Sequence, residues 1–291
     1  MPNPTCPDWA EALLNGFSQI FLQRHPLCGL LCLLAILICA PTLLGGALLG
    51  GVAGLLTAQR RDYPKAERQA GLYSYNGVLL GLLISQHFAW SLLLPPLILA
   101  CGGLSAILTR QWVKRMAHGD ALPAYTAPFV GIGWLLLGTV APATLPLSTA
   151  HTLDWLSAPL VGLGQVVLLD QPLAGLLIAL GLLLASPRAA LWAMLGACCG
   201  VVLGLLLDDR AGALLGLHSY NPALAALALS HYRRQPWLPL LGTLLAVLLT
   251  PGFASLHLAP LTAPFILACW LVRATLRLRH RANMDSPLES P

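Results

Sequence analysis

Charge is what this sequence has least of. Only 9% of its residues are charged while 57% are hydrophobic, and the mean hydropathy is +0.75. A soluble domain carries roughly a quarter charged residues, so a water-soluble globular protein is excluded and an integral membrane protein remains. The acids are Asp8, Glu11, Asp62, Glu67, Asp120, Asp154, Asp170, Asp208, Asp209, Asp285 and Glu289, and only Asp170 comes close to the interior of an apolar stretch. Proton relays and ion-coupled pumps normally carry intramembrane ionisable residues, so ion-driven transport lacks support. No Walker motif, HExxH or GxSxG elbow is present, which leaves ATP-driven transport and hydrolysis unsupported, and the chain is not read as an enzyme. The eight cysteines and eight histidines show no metal-ligand spacing, and no cofactor or metal is expected. The cysteines lie almost all in apolar stretches and read as small core residues. No short apolar core with a small-residue cleavage site opens the chain, so its N-terminus is expected to be retained.

Apolar sequence fills the space instead. Runs at about 26–41, 43–58, 71–89, 91–109, 128–141, 159–185, 189–207, 213–230, 237–250 and 263–276 are each near the length of a bilayer-crossing helix. Several fall short of the usual ~20 residues, which points to tilt, local thinning or helices that stop within the membrane. Residues 1–25 read as an N-terminal interfacial helix: Asp8 and Glu11 mark its start, and Trp9, Leu13, Phe17, Ile20 and Phe21 share one face.

The net charge of +5 does not indicate a nucleic-acid partner, because the basic residues lie in the loops. With the N-terminus inside, Arg24, then Arg60, Arg61, Lys65 and Arg68, then Arg110, Lys114 and Arg115, then Arg188, then Arg233 and Arg234, and finally Arg273, Arg277, Arg279 and Arg281 share one face. Fifteen of the sixteen basic residues are then cytoplasmic and only Arg210 is outside, a strong positive-inside pattern. Both termini are expected in the cytoplasm, with residues 277–291 as a polar tail. The lipid bilayer is the expected surroundings. The scarcity of extramembrane sequence and of glycosylation sequons favours a bacterial inner (plasma) membrane.

An internal repeat organises these stretches. "GFSQIFLQRHPLCGLL" (16–31) aligns with "GLGQVVLLDQPLAGLL" (162–177), matching Gln19 with Gln165 and Pro26 with Pro172. "GLYSYNGVLLGL" (71–82) aligns with "GLHSYNPALAAL" (216–227), matching Tyr75 and Asn76 with Tyr220 and Asn221. "LPAYTAPF" (122–129) aligns with "LAPLTAPF" (258–265). Five crossings per half make the second half enter from the opposite side, so the repeats are expected to be inverted, a layout that places the substrate path at their interface near the midplane. The halves are 26–141 and 156–276, joined by an external linker at 142–155.

The third pair carries the strongest physical signal. Pro123 and Pro128 remove backbone N–H donors and leave carbonyls without helical partners, and such backbone at membrane depth must be buried in protein or line a wet path. Leu122, Pro123, Thr126, Pro128 and Phe129, with Leu258, Thr262, Pro264 and Phe265, therefore read as two half-spanning re-entrant or broken helices, near 120–129 and 252–265. Pseudo-symmetry sets Thr126 against Thr262 as a two-sided polar patch. Gln19 and Gln165 are either interface amides or path-lining groups. Asn76 and Asn221 fit cross-helix hydrogen bonding. The Tyr75/Leu79 and Tyr220/Leu224 pairs, each four residues apart on one helix face, are either ordinary packing or a slot for a flat solute. A path of amides, hydroxyls and carbonyls suits an uncharged polar solute. On these residues a pore for ammonia, water or short amides, an ion-coupled carrier and a non-transporting scaffold all stay open.

The twice-used LPxxTxPF element, the paired "GLYSYNG" and "GLHSYNP", and the "SQIF" and "GQVV" starts resemble the urea transporter family over about residues 9–276. The resemblance implies a homotrimer whose protomers each hold a pore between two inverted five-helix halves and two half-spanning helices. Urea would pass passively, channel-like, its N–H groups received by oxygen ladders. Thr126 and Thr262 would be the midpore threonines, with Gln19 beside the outer and Gln165 beside the inner end of the filter. Leu22, Tyr75 and Leu79 would form one wall and Leu168, Tyr220 and Leu224 the other. The sequence departs from the family pattern at Ala259, where a proline is usual and Pro260 follows, and at Leu22, where an aromatic is usual and Phe21 stands beside it.

Overall fold

The computed structural model describes residues 8–119, 121–139, 154–232 and 235–285. Every regular element among the described residues is an α-helix. The helices are α1 (Asp8–Gln19), α2 (Pro26–Cys39), α3 (Pro41–Arg60), α4 (Lys65–Gln69), α5 (Tyr75–His87), α6 (Leu94–Ala117), α7 (Ala127–Leu137), α8 (Asp154–Gln165), α9 (Pro172–Ala185), α10 (Pro187–Leu206), α11 (Arg210–Leu214), α12 (Tyr220–Leu229), α13 (Trp237–Ser255) and α14 (Ala263–Asp285). Proline punctuates the chain: it is the first residue of α2, α3, α9 and α10, where its missing N–H costs nothing. Side-chain caps fix three starts. His25 Nδ1 accepts from Cys28 N at 3.3 Å, Ser186 Oγ from Ala189 N at 3.3 Å and Asp209 Oδ1 from Gly212 N at 2.9 Å.

The element order repeats with matched lengths. α1 and α8 each have 12 residues, α2 and α9 14, α3 and α10 20, and α4 and α11 5. The unusual backbone positions also recur in pairs: Leu22 (φ 56) with Leu168 (φ 61), Asp62 (φ 50) with Asp208 (φ 57), and Tyr125 (φ 44) with Leu261 (φ 43). Gly71 and Gly216 hold φ values of 75 and 70, and a side chain at either would run into the backbone of α1 or α8 respectively.

α5 and α12 are the centre of the molecule. Residues 75–84 and 220–229 are buried on every side, as expected of helices apolar all round. Glycine lets their neighbours approach. A Cβ on Gly46 or Gly50 of α3 would strike the carbonyl of Gly81 or Gly77 on α5, and Gly196 and Gly200 of α10 lie equally close to residues 222 and 218 at the start of α12, the small-residue packing of membrane helices. Leucines face outward instead: Leu184, Leu191, Leu206, Leu240 and Leu248 are all exposed, a surface suited to lipid rather than water. Pro41–Arg60, Leu94–Ala117 and Pro187–Leu206 are long and apolar enough to cross a membrane. The chain is a membrane protein.

Three expectations are corrected. The stretch 159–185 is two helices, because Leu168 turns the backbone left-handed, Asp170 is exposed and Pro172 starts afresh. The segments near 120–129 and 252–265 are breaks between helices, the broken form of the two readings, and not separate re-entrant helices. Residues 121–126 are non-helical, α13 runs through Pro251 to Ser255, and 256–262 are again non-helical before α14. Helices of about half-membrane length are α1 and α8, with 12 residues each, and α7 and α12, with 11 and 10, which span about 15–18 Å of a ~30 Å core. The N-terminal helix packs inward, with Ala12, Asn15, Gly16, Phe17 and Ser18 buried. Residues 277–285 continue α14, and the linker at 142–155 lies outside the described residues up to 153.

Candidate functional site

Thr126 and Thr262 meet. Their hydroxyl oxygens are 2.7 Å apart across 136 residues of sequence, and either can donate. Both are buried, at 4% and 3% exposure. Each stands at the start of a helix whose second residue is proline: Thr126 caps α7 ahead of Pro128, and Thr262 precedes α14 with Pro264. The first helical bonds run from Val130 N to Thr126 O at 3.0 Å and from Ile266 N to Thr262 O at 3.2 Å. One residue earlier, Tyr125 and Leu261 hold left-handed backbone, a conformation that costs a bulky residue about 1 kcal/mol or more and clusters at functional positions.

Two sets of buried bonds lock these turns. Asn76 Oδ1 accepts from Phe129 N at 3.3 Å while its Nδ2 donates to Thr109 Oγ1 at 3.2 Å. Asn221 Oδ1 accepts from Phe265 N at 3.1 Å while its Nδ2 donates to Leu261 O at 3.0 Å. The Tyr75 hydroxyl donates to the Tyr125 carbonyl. The two halves also brace each other: Trp134 Nε1 on α7 donates to Ala259 O, and Trp270 Nε1 on α14 donates to Pro123 O, both at 2.8 Å. Carbonyls in the two non-helical turns thus find fixed partners, as backbone inside a membrane requires.

Two cavities lie against these turns, one lined by Tyr125 and the other by Thr262. The smaller, about 290 Å³, is lined by Leu22, Pro123, Tyr125, Ala228, His231, Tyr232 and Arg273. The larger, about 830 Å³, takes in Gln165, Leu168, Tyr220, Thr262, Asp209 and His218. Every residue lining the smaller cavity has its repeat partner in the larger, namely Leu168, Ala259, Leu261, Leu83, Gln86, His87 and Leu137. The two cavities are therefore pseudo-equivalent vestibules. At the rim of the larger one His218 Nε2 lies 2.7 Å from Asp209 Oδ2. That hydrogen bond, with the Gly212 N–H, holds the Asp209 carboxyl below its ordinary range.

A profile of the urea transporter family matches residues 10–277. The chain belongs to the urea transporter family. Similar proteins include urea transporter 1 of Ovis aries, 29% identical over 78% of this chain, and urea transporter 1 of Rattus norvegicus, 29% identical over 91% of it. The matched region covers 64% of the sheep protein's length and 75% of the rat protein's.

The other expected site residues of this family member fall into two groups. Leu22, Leu168, Gln165 and Tyr220 line vestibules, whereas Tyr75, Leu79 and Leu224 are sealed within the core. Gln165 Nε2 donates to Leu215 O at 2.9 Å, and Gln19 ends α1, accepting from Leu22 N at 2.9 Å through its carbonyl. Gln165 shares its vestibule with Asp209 and His218. Leu122 O accepts from Trp112 Nε1 at 2.7 Å, and Leu258 is half-exposed. Leu22 and Leu168 close α1 and α8 in the position glycine usually takes: Gln23 N reaches Ser18 O and Leu169 N reaches Gly164 O, each at 3.1 Å. Sequence reasoning missed Trp134 and Trp270, although each stands five residues after the phenylalanine of its motif.

Proposed function

We propose that the chain conducts urea passively, down its concentration gradient, along a path running from one vestibule to the other between Thr126 and Thr262. The hydroxyl pair carries this reading: it is a buried polar point where the two motifs meet, with Thr262 lining the larger cavity and Tyr125, next to Thr126, lining the smaller. Urea is planar and uncharged, with four N–H donors and one carbonyl acceptor, and moving it unpaired through an apolar path would cost several kcal/mol. At the seam it exchanges one threonine–threonine hydrogen bond for bonds to each hydroxyl. An exchange of that kind is near balance, since a buried hydrogen bond nets only about 1 kcal/mol, and weak binding is what rapid passage requires. An ion meets only neutral dipoles there, which do not offset the loss of its hydration.

The architecture proposed with this function is ten crossings in two inverted repeats, with Tyr75, Leu79, Tyr220 and Leu224 backing the slot walls and Leu22 and Leu168 at its mouths. Matched helix lengths and paired left-handed residues support it. The protein is proposed to sit in a bacterial inner membrane with both termini cytoplasmic, on the positive-inside pattern, and to assemble as a homotrimer, on family resemblance. The test is urea flux into proteoliposomes with no ion gradient. Flux that scales with protein and is indifferent to proton and sodium ionophores is expected, whereas flux that needs an imposed ion gradient overturns the passive reading.

A further inference from the structure

Each residue lining the smaller vestibule has a counterpart in the larger, several of these pairs differ in chemistry, and one difference is a charge that a symmetric urea path does not need. Leu137 of the larger vestibule is replaced in the smaller by Arg273. The guanidinium is half-buried and sits 5.7 Å above the ring of Tyr232, a planar arrangement that holds it in place. Its Nε is buried with no hydrogen-bond partner among the described residues. No acid is among the described residues lining this cavity. One turn further along α14, Arg277 Nη2 donates to Ala121 O at 3.0 Å and adds a second positive charge on the same side. His231 lies on the rim, with Nδ1 3.1 Å from Ala228 O. A neutral solute does not require a half-buried cation with an unpaired Nε. A planar oxyanion does, because the fork of a guanidinium presents two parallel N–H groups to two coplanar oxygens.

We propose that Arg273 makes the smaller vestibule a binding site for a small planar monovalent oxyanion, bicarbonate or a carboxylate, and that an anion held there obstructs urea. Tyr125 and Pro123 line the same cavity and belong to the turn that carries Thr126, so on the proposed route a bound anion stands in the path. The inference rests on the reading that this cavity is one end of the urea route. Charge bias puts Arg273 on the cytoplasmic side, where hydrolysis of urea would release an oxyanion of this class, and the site then slows entry as that product accumulates.

The test uses full-length protein in proteoliposomes, with nitrate as a planar probe that takes up no proton near neutral pH. Nitrate replaces chloride on both faces at constant ionic strength, so insertion orientation does not matter. For a site with a dissociation constant on the order of 1 mM, nitrate at roughly ten times that concentration lowers urea flux about tenfold. Bicarbonate is expected to act likewise. In Arg273→Leu, which installs the residue found in the other vestibule, flux relative to that variant's own value in chloride becomes independent of nitrate. Arg273→Gln provides the same comparison if the leucine variant does not assemble. Equal wild-type flux in nitrate and chloride overturns the anion site while leaving the urea path standing, as does nitrate inhibition that survives loss of the guanidinium. Absence of urea flux in chloride overturns the path itself.

Discussion

Replacing Thr126 with valine keeps the side chain's shape and deletes its hydroxyl. The Thr262 hydroxyl, 2.7 Å away and 3% exposed, is then buried without that partner, a cost of about 1–3 kcal/mol. Replacing both threonines removes donor and acceptor together and leaves no orphan, so the double variant is expected to be more stable than either single one. Flux should follow the opposite order. In each single variant urea loses one hydrogen-bonding group but no longer has a threonine–threonine bond to break, so the two changes offset and flux stays within about fivefold of wild type. Loss of both groups removes a net of one bond, raising the barrier by ~1–2 kcal/mol, or a roughly 5–30-fold slower flux. Stopped-flow light scattering on proteoliposomes gives the flux and thermal unfolding in detergent gives the stability. A double variant that regains flux along with stability, staying within twofold of wild type, would falsify the role given to the hydroxyls.

The remaining expectations concern the frame around that seam. Asn221→Leu leaves the Phe265 N–H and the Leu261 carbonyl without their side-chain partner and should cost about 2–4 kcal/mol, visible as a lower unfolding temperature, with Asn76→Leu comparable. Trp134→Phe and Trp270→Phe each remove one indole donor to a carbonyl of the opposite half. They should destabilise by similar amounts, about 1–3 kcal/mol, and a large difference between them would argue against equivalent roles. Asp209 has its carboxyl held below its ordinary value of 3.8 by the His218 hydrogen bond. The stability it contributes is therefore full above that value and disappears as pH falls through the lower folded-state value. The unfolding-temperature gap between wild type and Asp209→Asn should be present at pH 7 and shrink below about pH 4.

Much of this was legible because duplication wrote it twice. Thr126 and Thr262 met where the repeated motif set them, and Asn76 and Asn221 bond across helices as buried amides must. The tryptophans stayed hidden because an indole in an apolar run reads as packing, and its acceptor lies 125 residues away in one case and 147 in the other. Leu22 and Leu168 gave no warning of their left-handed backbone, since leucine carries no signal for it. The break after α8 was masked because Val166, Val167, Leu168 and Leu169 keep the run apolar. In the first half Gln23, Arg24 and His25 mark the same break plainly. The paired vestibules draw on helix ends and loops from both halves, a juxtaposition no single motif contains.

The central claim is that urea crosses between Thr126 and Thr262, and a removable bolt placed there tests it most directly. The two oxygens are close enough for Thr126→Cys with Thr262→Cys, in a background whose native cysteines are replaced, to be joined by a disulfide, whose sulfurs sit about 2.05 Å apart. With the cross-link verified by mass spectrometry, the account predicts that urea flux through the oxidised protein falls to that of empty liposomes and returns on reduction. Undiminished flux through fully cross-linked protein would contradict it.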